Sequence, residues 1–128
     1  MHANFSGLWQ ANLDKSRIAG PMPSKIMMKI AHDDDVLNQA VLTTRNTGEQ
    51  NRLAASFSMI AAESTTELNG VPLRSRVRWS GRELVIELTY NGNLFRDYWS
   101  LSEDGQVLTM EHRDDAIAGQ ITVLERLA

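Results

Sequence analysis

Residues 73–113, LRSRVRWSGRELVIELTYNGNLFRDYWSLSEDGQVLTMEHR, decide the fold. They read as four consecutive strands joined by three tight turns, Ser80-Gly81, Asn91-Gly92 and Glu103-Asp104-Gly105. Alternating apolar runs split by short glycine-containing turns mark antiparallel hairpins. A two-residue turn at Ser80-Gly81 sets Arg78 opposite Glu83, Arg76 opposite Val85 and Arg74 opposite Glu87. On the other face Val77 meets Leu84, Ser75 meets Ile86 and Leu73 meets Leu88. A second two-residue turn at Asn91-Gly92 puts Glu87 opposite Arg96, so Arg74, Glu87 and Arg96 form a ladder of favourable cross-strand charge pairs. That face is the wet one. The stripe of Arg74, Arg76 and Arg78 reads as a solvated face and not a nucleic-acid patch, because acids neutralise it and the chain carries a net charge of -3.

The same register sends Phe95, Asp97, Trp99 and Leu101 inward. A four-residue loop at 103–106 pairs Leu101 with Leu108, Trp99 with Met110 and Asp97 with His112. A carboxylate and an imidazole thus become cross-strand neighbours on an otherwise apolar face, and a one-residue slip would turn both outward.

Outward from this stretch, residues 5–13 alternate Phe5, Gly7, Trp9, Ala11 and Leu13 on one face of a strand. Gly20, Pro21 and Pro23 then break any regular element, leaving room for at most one short helical turn. Strands follow over 25–32, 36–44 and 52–60, with Met28, Gln39, Phe57 and Met59 on their inner faces. The acidic turn Asp33-Asp34-Asp35 lacks the spacing of a calcium loop. Residues 61–72 hold a short edge-like strand near 65–68, ended by Asn69-Gly70 and Pro72. After His112, residues 114–119 read as a loop and 120–127 as the last strand. About ten short strands with sequential turns and no convincing helix predict an all-β antiparallel up-and-down meander. Closure into a barrel removes the exposed edges that an open meander would leave.

Composition sets outer bounds. The 128 residues suit one domain, 1–128, with a real core. No apolar run approaches membrane-spanning length. With no cysteine there is no disulfide framework and no thiolate site. His2, Ala3 and Asn4 lead straight into a strand without a leader pattern. The chain reads as soluble with its compartment open: cytoplasmic, or periplasmic or secreted if a leader has been removed. Oligomeric state is not legible.

The run FSGLWQANLDKS, with Gly7-Leu8-Trp9, resembles the opening of the calycins, the superfamily of lipocalins and fatty-acid-binding proteins. The run from Asp97 to Leu127 resembles their closing meander and ends in a basic residue, Arg126. The likeness is greatest to small bacterial lipocalin-like domains. The chain departs from fatty-acid-binding proteins in lacking a helical lid between the first two strands, and from secreted lipocalins in lacking disulfides and a C-terminal helix. The resemblance implies a lipocalin-like barrel whose first-strand Trp9 plugs one end. It gives Gly7, Trp9 and Arg126 structural roles, with the guanidinium lying on the indole.

In such a barrel the polar mouth would carry Thr43, Tyr90 and His112. A small hydrophobic or amphipathic molecule would meet Met28, Gln39, Phe57, Met59, Ile86, Phe95, Trp99 and Met110 along its body and Tyr90, Asp97 and His112 at its polar end. The plain alternative for Asp97 and His112 is a buried pair that satisfies itself. An enzymatic alternative makes them an acid–base pair for isomerisation, cyclisation or hydration, with Asp97 orienting His112. A third is a scaffold with a filled core, acting through the edge near 61–72. Gly-x-Ser-x-Gly is absent. A three-histidine metal site would have to recruit His2 and His32, so no metal is expected. No cofactor is expected either, with haem on His112 alone left open.

Overall fold

The computed structural model describes residues 3–113, 115 and 117–127. Ten strands run β1 (Gly7–Ala11), β2 (Lys25–His32), β3 (Val36–Thr44), β4 (Gln50–Ser58), β5 (Ser64–Leu68), β6 (Val71–Ser80), β7 (Glu83–Tyr90), β8 (Asn93–Leu101), β9 (Val107–His112) and β10 (Ile121–Arg126). No helix occurs among the described residues. All strands join one antiparallel sheet in the order β4-β3-β2-β1-β10-β9-β8-β7-β6-β5. The sheet curls into a nearly closed barrel. Its two edges, β4 and β5, face each other across a seam without a ladder, bridged at one end by Ser58 N–H donating to Ser64 Oγ at 3.4 Å.

Two Asn-Gly turns carry hairpins, the one at 91–92 as expected. Asn69 and Gly70, and Asn91 and Gly92, all have positive φ (51° and 78°, 50° and 81°), the pairing that matches the twist of a two-residue hairpin. The turn after β6 differs from expectation: Gly81 and Arg82 form it, and Ser80 pairs with Glu83. Gly81, at φ 61°, takes the first central position, where that turn type admits glycine and lets an ordinary residue follow. Moving the turn by one residue slides the two strands by two, so every face is kept and every partner changes. Val77 meets Ile86, Ser75 meets Leu88 and Leu73 meets Tyr90. The charge ladder becomes Arg76, Glu87 and Arg96, with Arg96 Nε 3.0 Å from Glu87 Oε2, while Arg74 pairs with Glu63 at 2.6 Å.

Other bounds shift modestly. β1 is shorter than the predicted 5–13, and β4 ends at Ser58 and not Ile60. Pro72 lies inside β6 instead of ending the strand before it. The ladder to β7 starts at Leu73, so the proline removes no bond from it. Outward-facing Val85 is fully buried between its cross-strand neighbours Arg78 and Tyr98. Arg113 caps that spot, stacked 4.3 Å over the Tyr98 ring and paired to Glu83 and Glu111.

One end of the barrel is packed solid. Phe5, Trp9, Leu37, Leu84, Trp99, Leu108 and Leu124 are buried there. Phe5 stacks on Trp79 and His32 and meets Trp99 edge-on. The Phe5 backbone N–H donates to His32 Nδ1 at 3.3 Å, and burial holds this imidazole below its ordinary value despite Asp33 and Asp34 nearby. At the other end, gathered around the turns at 45–49, 69–70 and 91–92, inward-facing Val41, Thr43, Leu88, Tyr90 and Phe95 stay only partly buried, and Leu53 is 43% exposed.

Candidate functional site

Three polar side chains converge under the loop that joins β9 to β10. Asp97 on β8 and His112 on β9 are cross-strand partners on the inner face, as the register required. Asp115, in the loop, supplies the third. His112 Nδ1 lies 3.0 Å from Asp115 Oδ2 and its Nε2 lies 3.7 Å from Asp97 Oδ1.

Asp115 is the anchor. Its side chain has no exposed surface and accepts the backbone N–H of Arg96 at 2.6 Å and of Ile117 at 2.9 Å. Burial alone would raise its carboxyl; those two N–H groups and His112 outweigh it and hold the carboxyl below its ordinary value. An ionised Asp115 accepts only, so His112 must carry its proton on Nδ1, and Nε2 is turned toward Asp97. Both ring nitrogens therefore face carboxylate oxygens.

Asp97 is held differently. Its Oδ2 accepts the Trp99 indole N–H at 2.8 Å, while Oδ1 is buried without a hydrogen-bond partner. Burial raises the Asp97 carboxyl above its ordinary value, against the pull of His112 and the Trp99 N–H. A folded-state value above the unfolded one means the carboxyl favours folding only while protonated. Its contribution is complete below about 3.8 and is lost as pH climbs through the raised value. Asp97→Asn keeps the shape, still accepts from Trp99 and removes this penalty. The variant should unfold at a higher urea midpoint than the parent at pH 7.5, with the gain shrinking toward pH 4. A gain equally large at both pH values would show that the Asp97 charge is not its origin.

Above the site, the segment between β1 and β2 folds across the mouth without helix. Arg17 exchanges two 2.7 Å backbone hydrogen bonds with Ile121, and Ala19 N–H donates to Gln120 Oε1 at 3.1 Å. This anchoring places Ile18, Pro21 and Met22 over a cavity of about 840 Å³, whose wall includes Ile26, Val41 and Leu53.

At the closed end, Arg126 lies 4.3 Å over the Trp9 ring and donates to Ser6 O at 2.7 Å and Gly105 O at 2.9 Å. The Trp9 indole N–H donates to Phe5 O at 3.0 Å. Gly7 sits at φ 150°, a conformation that side chains rarely adopt.

No family model and no curated protein sequence matches the chain. Solved structures do. The crystal structure of the fluorescent protein UnaG superposes with a TM-score of 0.66 at 15% identity, covering 95% of this chain and 96% of that one. Two point mutants of UnaG superpose with TM-scores of 0.66 and 0.60 at 13% and 16% identity. UnaG is a calycin of the fatty-acid-binding-protein-like kind.

This chain has the calycin fold.

The calycin barrel divides the residues singled out from sequence. Met28, Phe57, Ile86, Trp99 and Met110 lie in the packed half, each at most 5% exposed. Met59 borders a cleft at the closed end beside His32 and Trp79. Gln39 faces inward and its amide contacts Met28 Sδ at 3.3 Å. Phe95 and Tyr90 lie toward the mouth, and the Tyr90 hydroxyl donates to Leu68 O at 3.0 Å. Sequence reasoning missed Asp115 altogether. The signal available was an aspartate two residues before Ile117, the spacing at which its side chain accepts a backbone N–H. Asp114 and Ala116 of the same predicted loop, and His2, lie outside the described residues.

Proposed function

We propose that this calycin barrel binds a small apolar or amphipathic molecule in its mouth half. The observation that carries the reading is the contrast between the two halves. Phe5, Trp9, Leu37, Leu84, Leu108 and Leu124 are packed to zero exposure at one end, while at the other Leu53 and Val41 border open volume. The wall of this cavity mixes Ile18, Ile26, Val41 and Leu53 with Thr43, Asn51 and Arg52, and a cavity of several hundred Å³ that joins apolar surface to polar groups is the usual form of a small-molecule site. Ile26, Val41, Leu53 and Phe95 would contact the ligand body, and Asp97 and His112, with Tyr90, its polar end. Phe57, Trp99 and the other packed residues would form the floor. The reading needs no cofactor.

The test is titration with the neutral fluorophore N-phenyl-1-naphthylamine, followed by its own emission and by tryptophan emission. Saturable one-to-one binding is expected. Leu53→Glu, at a position exposed enough to tolerate the change, should weaken it tenfold or more. A folded protein that takes up no fluorophore would remove this reading in favour of the filled scaffold.

One observation favours a second reading, acid–base chemistry. Asp115 fixes the tautomer of His112 as an orienting carboxylate does for a general base. A pH-dependent turnover lost in His112→Ala with fluorophore affinity kept would identify it.

A further inference from the structure

The charge arrangement inside the barrel bears on the chemical class of the ligand, and rests on the binding reading above. Among the described strand residues, the one arginine or lysine on an inward position is Arg126. It is at the closed end, over Trp9, with its donors on Ser6 O and Gly105 O. Lys25, Lys29, Arg52, Arg74, Arg76 and Arg78 are exposed. The inward polar groups near mid-barrel are instead two carboxylates and one imidazole.

Asp115 is ionised. The trio therefore holds one ionised carboxylate and a second carboxyl, with no arginine or lysine among its members. A carboxylate brought to this depth would face like charge in a poorly solvated space, and among the described strand residues no inward arginine or lysine but Arg126 stands to offset it. A group with an N–H or O–H to donate would meet the opposite. Asp97 Oδ1 is a buried acceptor without a partner, and such an atom is costly until it gains one. The Asp97 and His112 side chains keep 15% and 14% of their surface accessible, although Oδ1 itself is covered.

We infer that the barrel selects amphipathic molecules whose buried head donates a hydrogen bond to Asp97, an amine or an alcohol, and rejects those with a carboxylate head. The head seats beside Asp97 and His112, and the hydrocarbon body points to the mouth.

The experiment is displacement of bound N-phenyl-1-naphthylamine by three ten-carbon amphiphiles that differ in the head alone: decylamine, 1-decanol and decanoate, at pH 7.5 and below their micellar concentrations. Decylamine or 1-decanol should displace the fluorophore at a concentration at least tenfold lower than decanoate. Asp97→Asn should narrow that ratio to less than about threefold, which separates Asp97 from a general preference of an acidic protein for cations. Decanoate displacing as well as the other two would overturn the inference and leave the binding reading standing; it would point to Arg45 and Arg52 at the rim of the mouth cavity as partners for the acid. A ratio unmoved by Asp97→Asn in a folded variant would also overturn it. If the variant does not fold, the parent ratio decides alone. Failure of the fluorophore itself to bind would remove the binding reading and the inference with it.

Discussion

Replacing Trp9 by alanine should cost the fold about 3–5 kcal/mol, the range for emptying a large aromatic site in a packed core. Trp9 has no exposed surface and joins three parts of the closed end. Its indole N–H ties down Phe5 O, its ring carries the Arg126 guanidinium, and its backbone pairs with Met28 of β2 on one side and Arg126 of β10 on the other. Alanine would leave the cavity, an unbonded carbonyl and a guanidinium without its platform. Trp9→Phe separates these losses. It refills most of the space and leaves the Phe5 carbonyl unbonded, at about 1–3 kcal/mol. Urea unfolding monitored by far-ultraviolet circular dichroism measures both. A Trp9→Ala loss under about 1 kcal/mol would mean that the closed end is not the stabilising half of the barrel.

The second large effect is expected at a residue that no strand pattern singles out. Asp115→Ala would strand the N–H groups of Arg96 and Ile117 and leave His112 Nδ1 without an acceptor. At about 1–3 kcal/mol for each buried group left unsatisfied, the loss should exceed about 3 kcal/mol. Asp115→Asn keeps an acceptor but removes the charge that fixes the His112 tautomer. It should therefore lower the urea midpoint less than alanine does. If Asp115→Ala unfolds at the parent midpoint, the loop holds His112 by some other means.

The two residues differ in how far sequence could reach them. Trp9 was legible because a strand pattern and a short resemblance agree on it. Asp97 and His112 were legible because the Asn91-Gly92 turn and the 103–106 loop fix their register by local chemistry, and the observed pairing follows both. The turn after β6 shows the limit of that reasoning. Ser80-Gly81 and Gly81-Arg82 are both acceptable two-residue turns by composition, and the choice depends on whether glycine fills the first or the second place. The inward-facing set survived because the error was even-numbered, but the partners of Arg74 and Arg76 did not. Asp115 was out of reach for another reason. Its three bonds bring β8, β9 and an irregular loop together, and that convergence exists only once the barrel has formed. The division of the inner wall into a packed half and an accessible half was likewise invisible, since it depends on strand tilt and on the segment that carries Ile18 and Met22 over the mouth.

The seam between β4 and β5 has a consequence for how the chain is strung. Those strands are neighbours in sequence yet unpaired, whereas β1 and β10, at opposite ends of the chain, share a ladder. A circular permutant opened within 60–62 and joined from Leu127 to Asn4 would run β5 to β10 and then β1 to β4. Every ladder would then link consecutive strands. The ends to be joined already lie side by side, with Leu127 N–H bonded to Leu8 O at 2.7 Å. Exposed loop positions such as Ile60 and Ala61 are where such cuts are tolerated. The rearranged chain would build the same barrel with no ladder closing across its whole length, and folding rates rise as contacts become more local.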